Sequence, residues 1–307
     1  MADDLLTRSA KQVVGRRREL ELVVAALMAD RHIVLEGPPG TGKSTLLRAV
    51  AHELGIGFEF VEGNAELTPA RLVGHFDPAR VLTDGYVPDV FVDGALITAM
   101  TSGSLLYVEE INRIPEETLN VLITVMSEQE LHVPRLGRVA CAPGFRLVAA
   151  MNPFDAVGTA RISGAVYDRM CRLSMGYQPA AEEEAIVARA VEPSDIDPAF
   201  ITRIVDLVRR TRQHPDLRVG SSVRGAIDMA VVARSLSSLR GAPATHPGVS
   251  LDAALVGLSG RVRVREGSSR TAEEIVTELW ELVFQPAEPD GGKAIAPTGA
   301  TMGSSTA

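Results

Sequence analysis

The sequence is poor in the residues that mark disulfide-rich, metal-binding and membrane proteins. It contains only two cysteines, Cys141 and Cys171, without C-x-x-C spacing, so we expect neither a disulfide framework nor a zinc site. Its six histidines are scattered singly, which disfavours a metal centre built on imidazole. No apolar run is long enough to span a bilayer. We therefore expect a chain whose fold is stabilised by an apolar core, without disulfides or structural metal ions.

Aromatic rings and positive charge are also scarce. The chain has eight Phe, four Tyr and one Trp, and its formal net charge is -8. Proteins that bind duplexes carry basic surfaces, and single-strand channels stack bases on aromatic side chains. Nucleic acid is therefore not the expected partner. Residues 1–4 are acidic where a secretory signal is basic, so the cytoplasm is the expected location.

Helix-like and strand-like patterns alternate over residues 13–177. The predicted strands lie at 32–36, 58–61, 104–108 and 146–151, and the first predicted helices lie at 17–29 and from the end of a Gly-rich loop to Leu54. Such alternation predicts an α/β fold with a parallel sheet between helices. Ligands of such sheets bind at the carboxyl ends of the strands.

The remainder of the chain has a different character. Helical apolar spacing at 198–213, 222–239, 250–264 and 271–284 predicts a small all-helical domain over 178–284, without further strands. Thr271 and Glu274 have the spacing of a capping box. Composition predicts a flexible arm over 1–12 and a disordered tail over 285–307.

The segment GPPGTGKS, from Gly37 to Ser44, matches the phosphate-loop pattern G-x-x-x-x-G-K-[ST]. An apolar strand before it and an amphipathic helix after it are the context that this loop requires, so the chain is expected to bind a nucleoside triphosphate. Lys43 is expected to reach the β- and γ-phosphates and Ser44 to ligate Mg²⁺. The residues predicted to surround the phosphates are Gly37, Pro38, Pro39, Gly40, Thr41, Gly42, Lys43, Ser44 and Thr45.

A second acidic motif follows downstream. The apolar strand at 104–108 ends in Glu109 and Glu110, as in a Walker B site. The first carboxylate is expected to hold Mg²⁺ through water, and the second to orient and deprotonate the attacking water.

Further landmarks appear in a fixed order, and together they resemble the MoxR-type AAA+ ATPases. The most specific of them is Glu109-Glu110-Ile111-Asn112-Arg113-Ile114-Pro115. The others are Leu72-Val73-Gly74, Gly94-Ala95-Leu96, Met126-Ser127-Glu128, Ala150-Met151-Asn152-Pro153 and Asp168-Arg169. The resemblance covers roughly residues 13–240 and extends to the wider clade of the magnesium-chelatase ATPase subunit. It implies an AAA+ ATPase domain over 13–177, a helical lid over 178–284, an insert within about 66–93 and a hairpin around 130–145.

The resemblance also implies roles for individual residues. Asn152 corresponds to sensor 1, which orients the lytic water, or else is a turn-forming Asn before Pro. Arg224 corresponds to sensor 2, or else is an exposed helix arginine. The arginine finger, which acts on the neighbouring subunit's γ-phosphate, corresponds to Arg169, with Arg161 and Arg172 as alternatives. Val14 and Gly15 lie where the family packs backbone against adenine.

The sequence departs from the family pattern at two places, and one further residue has two interpretations. Glu109 replaces the usual Walker B Asp, and Ile162-Ser163-Gly164-Ala165 replaces Leu-Pro-Glu-Ala. Both changes leave ATP binding possible but would slow hydrolysis or alter communication between neighbours. Asn64 could couple ligand state to Glu110, but a turn residue is the favoured interpretation.

The function implied is an ATP-hydrolysing chaperone or remodelling motor with ATP and Mg²⁺ as ligands. The implied assembly is a hexameric ring that works with a von Willebrand factor A protein and a client enzyme. The alternatives are a slowly hydrolysing, nucleotide-gated assembly scaffold, a nucleic-acid motor and a small-molecule kinase. The acidic net charge disfavours the nucleic-acid motor, and the predicted sensor and lid disfavour the small-molecule kinase.

Overall fold

The computed structural model describes residues 2–153, 163–191 and 196–285, with side chains from Leu6 onward. The tail predicted at 285–307 lies outside this range except for Gln285, and Arg161 lies outside it as well.

The chain separates into two compact units. One comprises Met1–Ser194 with Ser222–Ile227, and the other comprises Asp195–Ser221 with Asp228–Ala307. The first unit therefore continues past the domain boundary that the sequence predicts at 177/178, and that boundary stays a prediction. Nowhere in the described part of the chain is a helix both long and apolar enough to cross a membrane.

The first unit combines strands and helices in alternation. Its described strands are β1 (His32–Glu36), β2 (Phe58–Glu62), β3 (Gly74–Phe76), β4 (Phe91–Asp93), β5 (Leu105–Glu109), β6 (Glu130–Val133), β7 (Gly137–Ala140), β8 (Arg146–Met151) and β9 (Met170–Ser174). Its described helices are α1 (Ala2–Gln12), α2 (Arg17–Met28), α3 (Lys43–Leu54), α4 (Pro69–Val73), α5 (Pro78–Asp84), α6 (Ala95–Ser102), α7 (Glu116–Glu128), α8 (Gly164–Tyr167) and α9 (Ala180–Val191).

Five strands form a parallel sheet in the order β2-β5-β8-β1-β9. The strands predicted at 32–36 and 146–151 coincide with β1 and β8, and the other two differ from β2 and β5 by one residue at their ends. The predicted α/β fold is thus confirmed. Because all five strands run in the same direction, their carboxyl ends share one edge of the sheet.

Alternate residues of the central strands face two apolar layers, as the period of a β-strand requires. Ile33 and Leu35 of β1 pack in a cluster with residues of α2 and α3. Val34, between them, packs in the opposite cluster with residues of α6 and α7. In the described part of the chain, both faces of the sheet are therefore covered, which leaves its edges and strand ends for ligands.

Two inserted segments lie where the sequence predicts them. The segment at 66–93 contains the antiparallel pair β3 and β4, and the hairpin predicted around 130–145 is the antiparallel pair β6 and β7. At the hairpin turn, the Arg135 guanidinium lies 3.6 Å from the centre of the Tyr86 ring. A cation–π contact therefore links the two segments.

The amino-terminal segment differs from the flexible arm predicted over 1–12, because α1 occupies it and packs beside α2 and α3. Arg8 Nε donates to Glu53 Oε2 at 2.7 Å, and Ser9 is buried. Arg189 of α9 donates to the last carbonyls of the helix, at Lys11 and Gln12. The sequence predicted a flexible arm because the residues that hold this helix in place are far away along the chain.

The second unit is mainly helical, as predicted. Its elements, together with the helix whose first turn belongs to the first unit, are α10 (Pro198–Thr211), β10 (Leu217–Val219), α11 (Val223–Arg240), α12 (Pro247–Leu258), β11 (Arg263–Val264) and α13 (Ala272–Phe284). The Thr271–Glu274 capping box of α13 is confirmed. The helix predicted over 250–264 is wrong at its end, because α12 stops at Leu258 and β11 pairs with β10. This short pair also corrects the expectation that no strand follows residue 178.

Candidate active site

Three neighbouring strands bring the predicted site residues to one edge of the sheet. β8 lies between β1 and β5. β1 leads from Glu36 into the phosphate loop, β5 ends at Glu109, and Asn152 follows the last residue of β8. The phosphate loop, the acidic strand end and the predicted sensor therefore meet at the edge where parallel sheets bind ligands.

The phosphate loop has the backbone of an anion cradle. Gly40 and Gly42 have φ angles of 74° and 83°, which glycine adopts readily and residues with a Cβ atom rarely adopt. Gly42 is the N-cap of α3, and no side chain of the described residues caps this helix. Its first N–H groups can therefore donate hydrogen bonds to a phosphate group, and its positive dipole end favours that negative charge.

Lys43 lies at the centre of this cradle. Only 8% of the residue is exposed, and its Nζ donates to the carbonyl oxygens of Gly37 and Pro38, both at 2.9 Å. Burial lowers the pKa of Lys43 to about 8, Glu109 opposes this shift and Arg224 adds to it. A phosphate anion beside Nζ would restore the charged form, because an opposite charge favours it.

Ser44 and Glu109 form the part of the site that fits Mg²⁺. Ser44 Oγ donates to Glu109 Oε1 at 3.2 Å and lies 3.1 Å from the hydroxyl of Tyr107. Mg²⁺ prefers oxygen ligands and is usually held by one or two protein groups together with substrate phosphates. The described residues contain no cluster of three or more His, Cys, Asp or Glu that could hold a metal ion. The Ser44–Glu109 pair thus fits Mg²⁺ that arrives with a nucleotide.

Glu110 has a constrained backbone and a charged neighbour. Its φ of 53° and ψ of 43° place it in the left-handed region, which costs about 1 kcal/mol or more for a residue other than glycine. Its Oε2 lies 2.5 Å from Nε of Arg113. Gly63 packs so closely that a Cβ there would lie 2.4 Å from the Glu110 carbonyl oxygen. The end of β2 therefore holds the backbone that carries Glu110.

Asn64, just beyond that strand, behaves as a turn residue. Its Oδ1 accepts from the N–H of Glu66 at 2.9 Å, and its Nδ2 donates to the carbonyl of Glu62 at 3.3 Å. These local hydrogen bonds agree with the turn interpretation favoured from the sequence.

A cavity of about 470 Å³ lies beside the loop within the first unit. Its lining includes Val14, Thr41, Thr45, Gln178 and Arg224. The cavity thus brings Val14 and Arg224, which are far apart in sequence, to the same side of the phosphate loop. Gly15, with a φ of 66°, packs against the side chain of Glu182.

Arg16 lines this cavity and bonds to the phosphate loop. It is 7% exposed, and its guanidinium donates to the carbonyl of Thr41 at 3.1 Å and to that of Gly176 at 2.5 Å. Nε2 of Gln178 donates to the carbonyl of Val14 at 2.7 Å. These bonds fix the wall of the cavity before any ligand enters.

The described arginine-finger candidates have different surroundings. Arg169 is exposed, and its guanidinium donates to Ser127 Oγ at 2.5 Å and to the carbonyl of Ala165 at 2.9 Å. Arg172 pairs with the buried carboxylate of Glu36, with both Nε and Nη2 at 2.6 Å from Oε2. Arg161 lies outside the described residues. Arg172 therefore has an internal partner that a finger would have to leave.

Sequence reasoning missed several residues of this site, including Tyr107, Tyr167 and Gln178, and it missed that Arg172 pairs with Glu36. Tyr107 alternates with apolar strand residues and resembles a core side chain. Gln178 belongs to no motif, and its contact with Val14 joins positions more than a hundred residues apart. A charged residue in an apolar strand, such as Glu36, is the one signal that could have pointed to a buried network.

Comparison with known proteins places this geometry in context. A family model described as an AAA domain of the dynein-related subfamily matches residues 32–170. The gas vesicle ATPase GvpN of Ancylobacter aquaticus is 32% identical over 226 residues, which cover 67% of this chain and 62% of that protein. Protein MoxR of Methylorubrum extorquens is 28% identical over 250 residues, which cover 79% and 71%.

A solved structure of a RuvB variant from Thermotoga maritima has a similar fold. It aligns with a TM-score of 0.55 and 21% identity, over 81% of this chain and 72% of that chain.

Proposed function

Because this chain belongs to the MoxR-type AAA+ ATPases, we propose that it hydrolyses ATP to ADP and phosphate in a ring and uses the reaction to remodel or activate a client protein complex. The observation that carries the proposal is the distance of 3.2 Å between Ser44 Oγ and Glu109 Oε1, beside the buried amine of Lys43. A phosphate loop and an acidic strand end in contact are the parts that phosphoryl transfer to water requires.

In the proposed reaction, the loop residues hold the triphosphate. The N–H groups at the start of α3 and the amine of Lys43 bind the β- and γ-phosphate oxygens, for which Lys43 leaves the carbonyls of Gly37 and Pro38. Ser44 and Glu109 would hold Mg²⁺, which neutralises charge on the phosphates when bound. Arg224, at the cavity wall, contacts the γ-phosphate.

Glu110 takes the proton of the attacking water. For this step its carboxylate must turn from Arg113 towards the γ-phosphate, where Asn152 orients the water. Glu110→Gln keeps the shape of the side chain but cannot accept the proton. The variant should bind ATP with a Kd close to that of the parent and should hydrolyse it at least about a hundredfold more slowly. Equal turnover in the variant and the parent would remove Glu110 from the reaction.

Arg169 completes the site of the neighbouring subunit, and the hexamer is the expected ring. The choice of Arg169 over Arg172 is supported by the ion pair that already occupies Arg172. The client and the von Willebrand factor A protein come from the family resemblance. A direct check is co-purification of that complex with Glu110→Gln rings in ATP but not in ADP, with Lys43→Ala rings as the negative control.

The Glu110–Arg113 ion pair favours the second candidate, a scaffold that binds ATP and hydrolyses it slowly. A carboxylate whose Oε2 lies 2.5 Å from Nε of Arg113 must leave this charged partner before it can take a proton from water, and separating such a pair costs free energy. Arg113→Ala separates the two functions. A rise in steady-state turnover would mean that the pair restrains hydrolysis, whereas unchanged turnover favours the motor.

A further inference from the structure

The carboxylate of Glu36 has no role in the reaction described above, yet it is buried at the end of β1, directly before the phosphate loop. Glu36 is the last residue of β1, it precedes Gly37, and only 2% of it is exposed. A buried carboxylate is costly unless both of its oxygens have partners. Here both do.

The two partners lie on either side of the proposed arginine finger. Tyr167, at the end of α8, donates from its hydroxyl to Glu36 Oε1 at 2.6 Å. Arg172, in β9, donates to Oε2 from Nε and Nη2, both at 2.6 Å. Arg169 lies between them, two residues after Tyr167 and three before Arg172. The Glu36 carboxylate thus bonds to both ends, Tyr167 and Arg172, of the segment that carries Arg169.

The same network reaches the neighbouring strand ends. The hydroxyl of Tyr167 lies 4.0 Å from Sδ of Met151, the residue before Asn152. The N–H of Met175, just after β9, donates to the carbonyl of Glu36 at 2.7 Å. At Gly37, a Cβ would lie 2.0 Å from the carbonyl oxygen of Met175. The start of the phosphate loop and the end of β9 are therefore in direct contact, with no room for a side chain at Gly37.

Among the described residues, Arg169 itself contacts two groups at the surface. Its guanidinium donates to Ser127 Oγ and to the carbonyl of Ala165, and the residue is exposed. Long exposed side chains are held weakly by such contacts. The position of its backbone, which the Glu36 network sets, must then decide where the guanidinium can reach.

We infer that Glu36 is a positioning residue that fixes the segment from Tyr167 to Arg172, and with it Arg169, for use in the neighbouring subunit's active site. The inference rests on the proposed function, in which Arg169 acts across the subunit interface. It assigns the effect of Glu36 to the site of the neighbour and not to the phosphate loop that follows it in its own chain.

The test measures ATP hydrolysis by Glu36→Gln rings, alone and mixed with Lys43→Ala rings. The amide keeps the size of the side chain but loses the charge that pairs with Arg172. We expect nucleotide affinity within about threefold of the parent and turnover lower by about 10- to 100-fold, the loss typical of a misplaced catalytic group. Glu278→Gln is the matched control, because it removes a carboxylate that pairs with an arginine, Arg270, in the second unit. The turnover of this variant should equal that of the parent.

Mixing reveals which subunit's site is damaged. A Lys43→Ala subunit cannot hydrolyse ATP itself but offers an intact Arg169 segment to a Glu36→Gln neighbour, so mixed rings should exceed the sum of the separate rates. If Glu36 acted on its own phosphate loop, every site in the mixture would be defective and no gain would appear. That result, or unchanged turnover in Glu36→Gln rings, overturns the inference.

Two further variants keep the outcome clear. Arg169→Ala mixed with Lys43→Ala tests the shared site itself. Rescue there without rescue of Glu36→Gln refutes only the inference, whereas no rescue in either mixture refutes the action of Arg169 across the interface and the inference with it. Tyr167→Phe removes a single hydroxyl and replaces Glu36→Gln where the latter does not assemble. It should lose about tenfold in turnover and be rescued in the same way.

Discussion

At the scale of single residues, the amine of Lys43 is the group whose charge responds to the ligand. Its pKa of about 8 in the nucleotide-free protein lies below the ordinary value near 10.4. The amine is therefore charged below pH 8 and neutral above it, and a bound triphosphate favours the charged form. Nucleotide affinity should be fully present below pH 8 and should weaken as the pH rises through this value.

The expected result is a binding-linked proton uptake. At pH 9 the parent should take up close to one proton per nucleotide and at pH 7 almost none, as shown by titration calorimetry in buffers of different ionisation enthalpy. Lys43→Arg is the matched control because its guanidinium stays charged throughout, and its binding should take up no proton at pH 9. Equal uptake by this variant would locate the titrating group elsewhere.

Glu109 is the second residue whose chemistry the structure makes testable. Its carboxylate reaches Ser44 Oγ at 3.2 Å, where the usual, shorter Asp would leave room for water around Mg²⁺. Glu109→Asp should therefore keep or raise steady-state turnover, whereas Glu109→Gln, which removes the charge, should reduce it. A hundredfold loss in Glu109→Asp would mean that the site has repacked around the longer side chain.

The residues that the sequence could predict are those joined by short spacing. Lys43 and Ser44 follow from the loop pattern, and the Thr271–Glu274 capping box follows from a spacing of three. The Glu36–Tyr167–Arg172 network was out of reach, since Glu36 lies more than a hundred residues from both of its partners and the three residues share no motif. Register within the parallel sheet, not local pattern, brings them together.

At the scale of elements, strands were predicted well where an apolar run is bounded by charged or turn-forming residues. β1 and β8 match their predicted ends because both lie between charged or turn-forming residues. The segment after Leu258 failed because Val262 and Val264 continue a helical apolar spacing, yet β-branched residues also suit a strand. Its pairing with β10, a contact distant in sequence, decided the outcome.

The capping of α13 gives a prediction for one element. Thr271 Oγ1 accepts from the N–H of Glu274, and Glu274 Oε2 accepts from the N–H of Thr271. Thr271→Ala should destabilise the first turn of α13 by about 1 kcal/mol, so the amides there should exchange hydrogen roughly fivefold faster.

Thr277→Ala is the matched control within the same helix. Thr277 Oγ1 donates to the carbonyl of Glu273 at 2.8 Å, a bond that adds little to a helix interior. Alanine there should leave exchange unchanged or slow it slightly. Equal acceleration in both variants would show that the loss of a threonine, and not of the cap, is responsible.

At the scale of the whole molecule, the proposed ATPase depends on assembly. The loop, the acidic strand end and Asn152 meet in one chain, but the described residues place Arg169 against Ser127 of its own α7. The net charge of -8 and the few aromatic residues favour protein clients over nucleic acid, although the fold is shared with RuvB. The ring stays a prediction from the family resemblance, since no local contact of a single chain indicates it.

The central claim is that each active site is built by two subunits, and complementation between two inactive variants tests it most directly. Arg169→Ala should bind ATP but hydrolyse it about 10³- to 10⁵-fold more slowly, the loss typical of an arginine finger, and Lys43→Ala should neither bind nor hydrolyse it well. In rings shown to be mixed, hydrolysis should reappear and peak near equal amounts of the two variants. Absence of any recovery at all mixing ratios, with Arg172→Ala also failing to recover in the same assay, would contradict the shared active site.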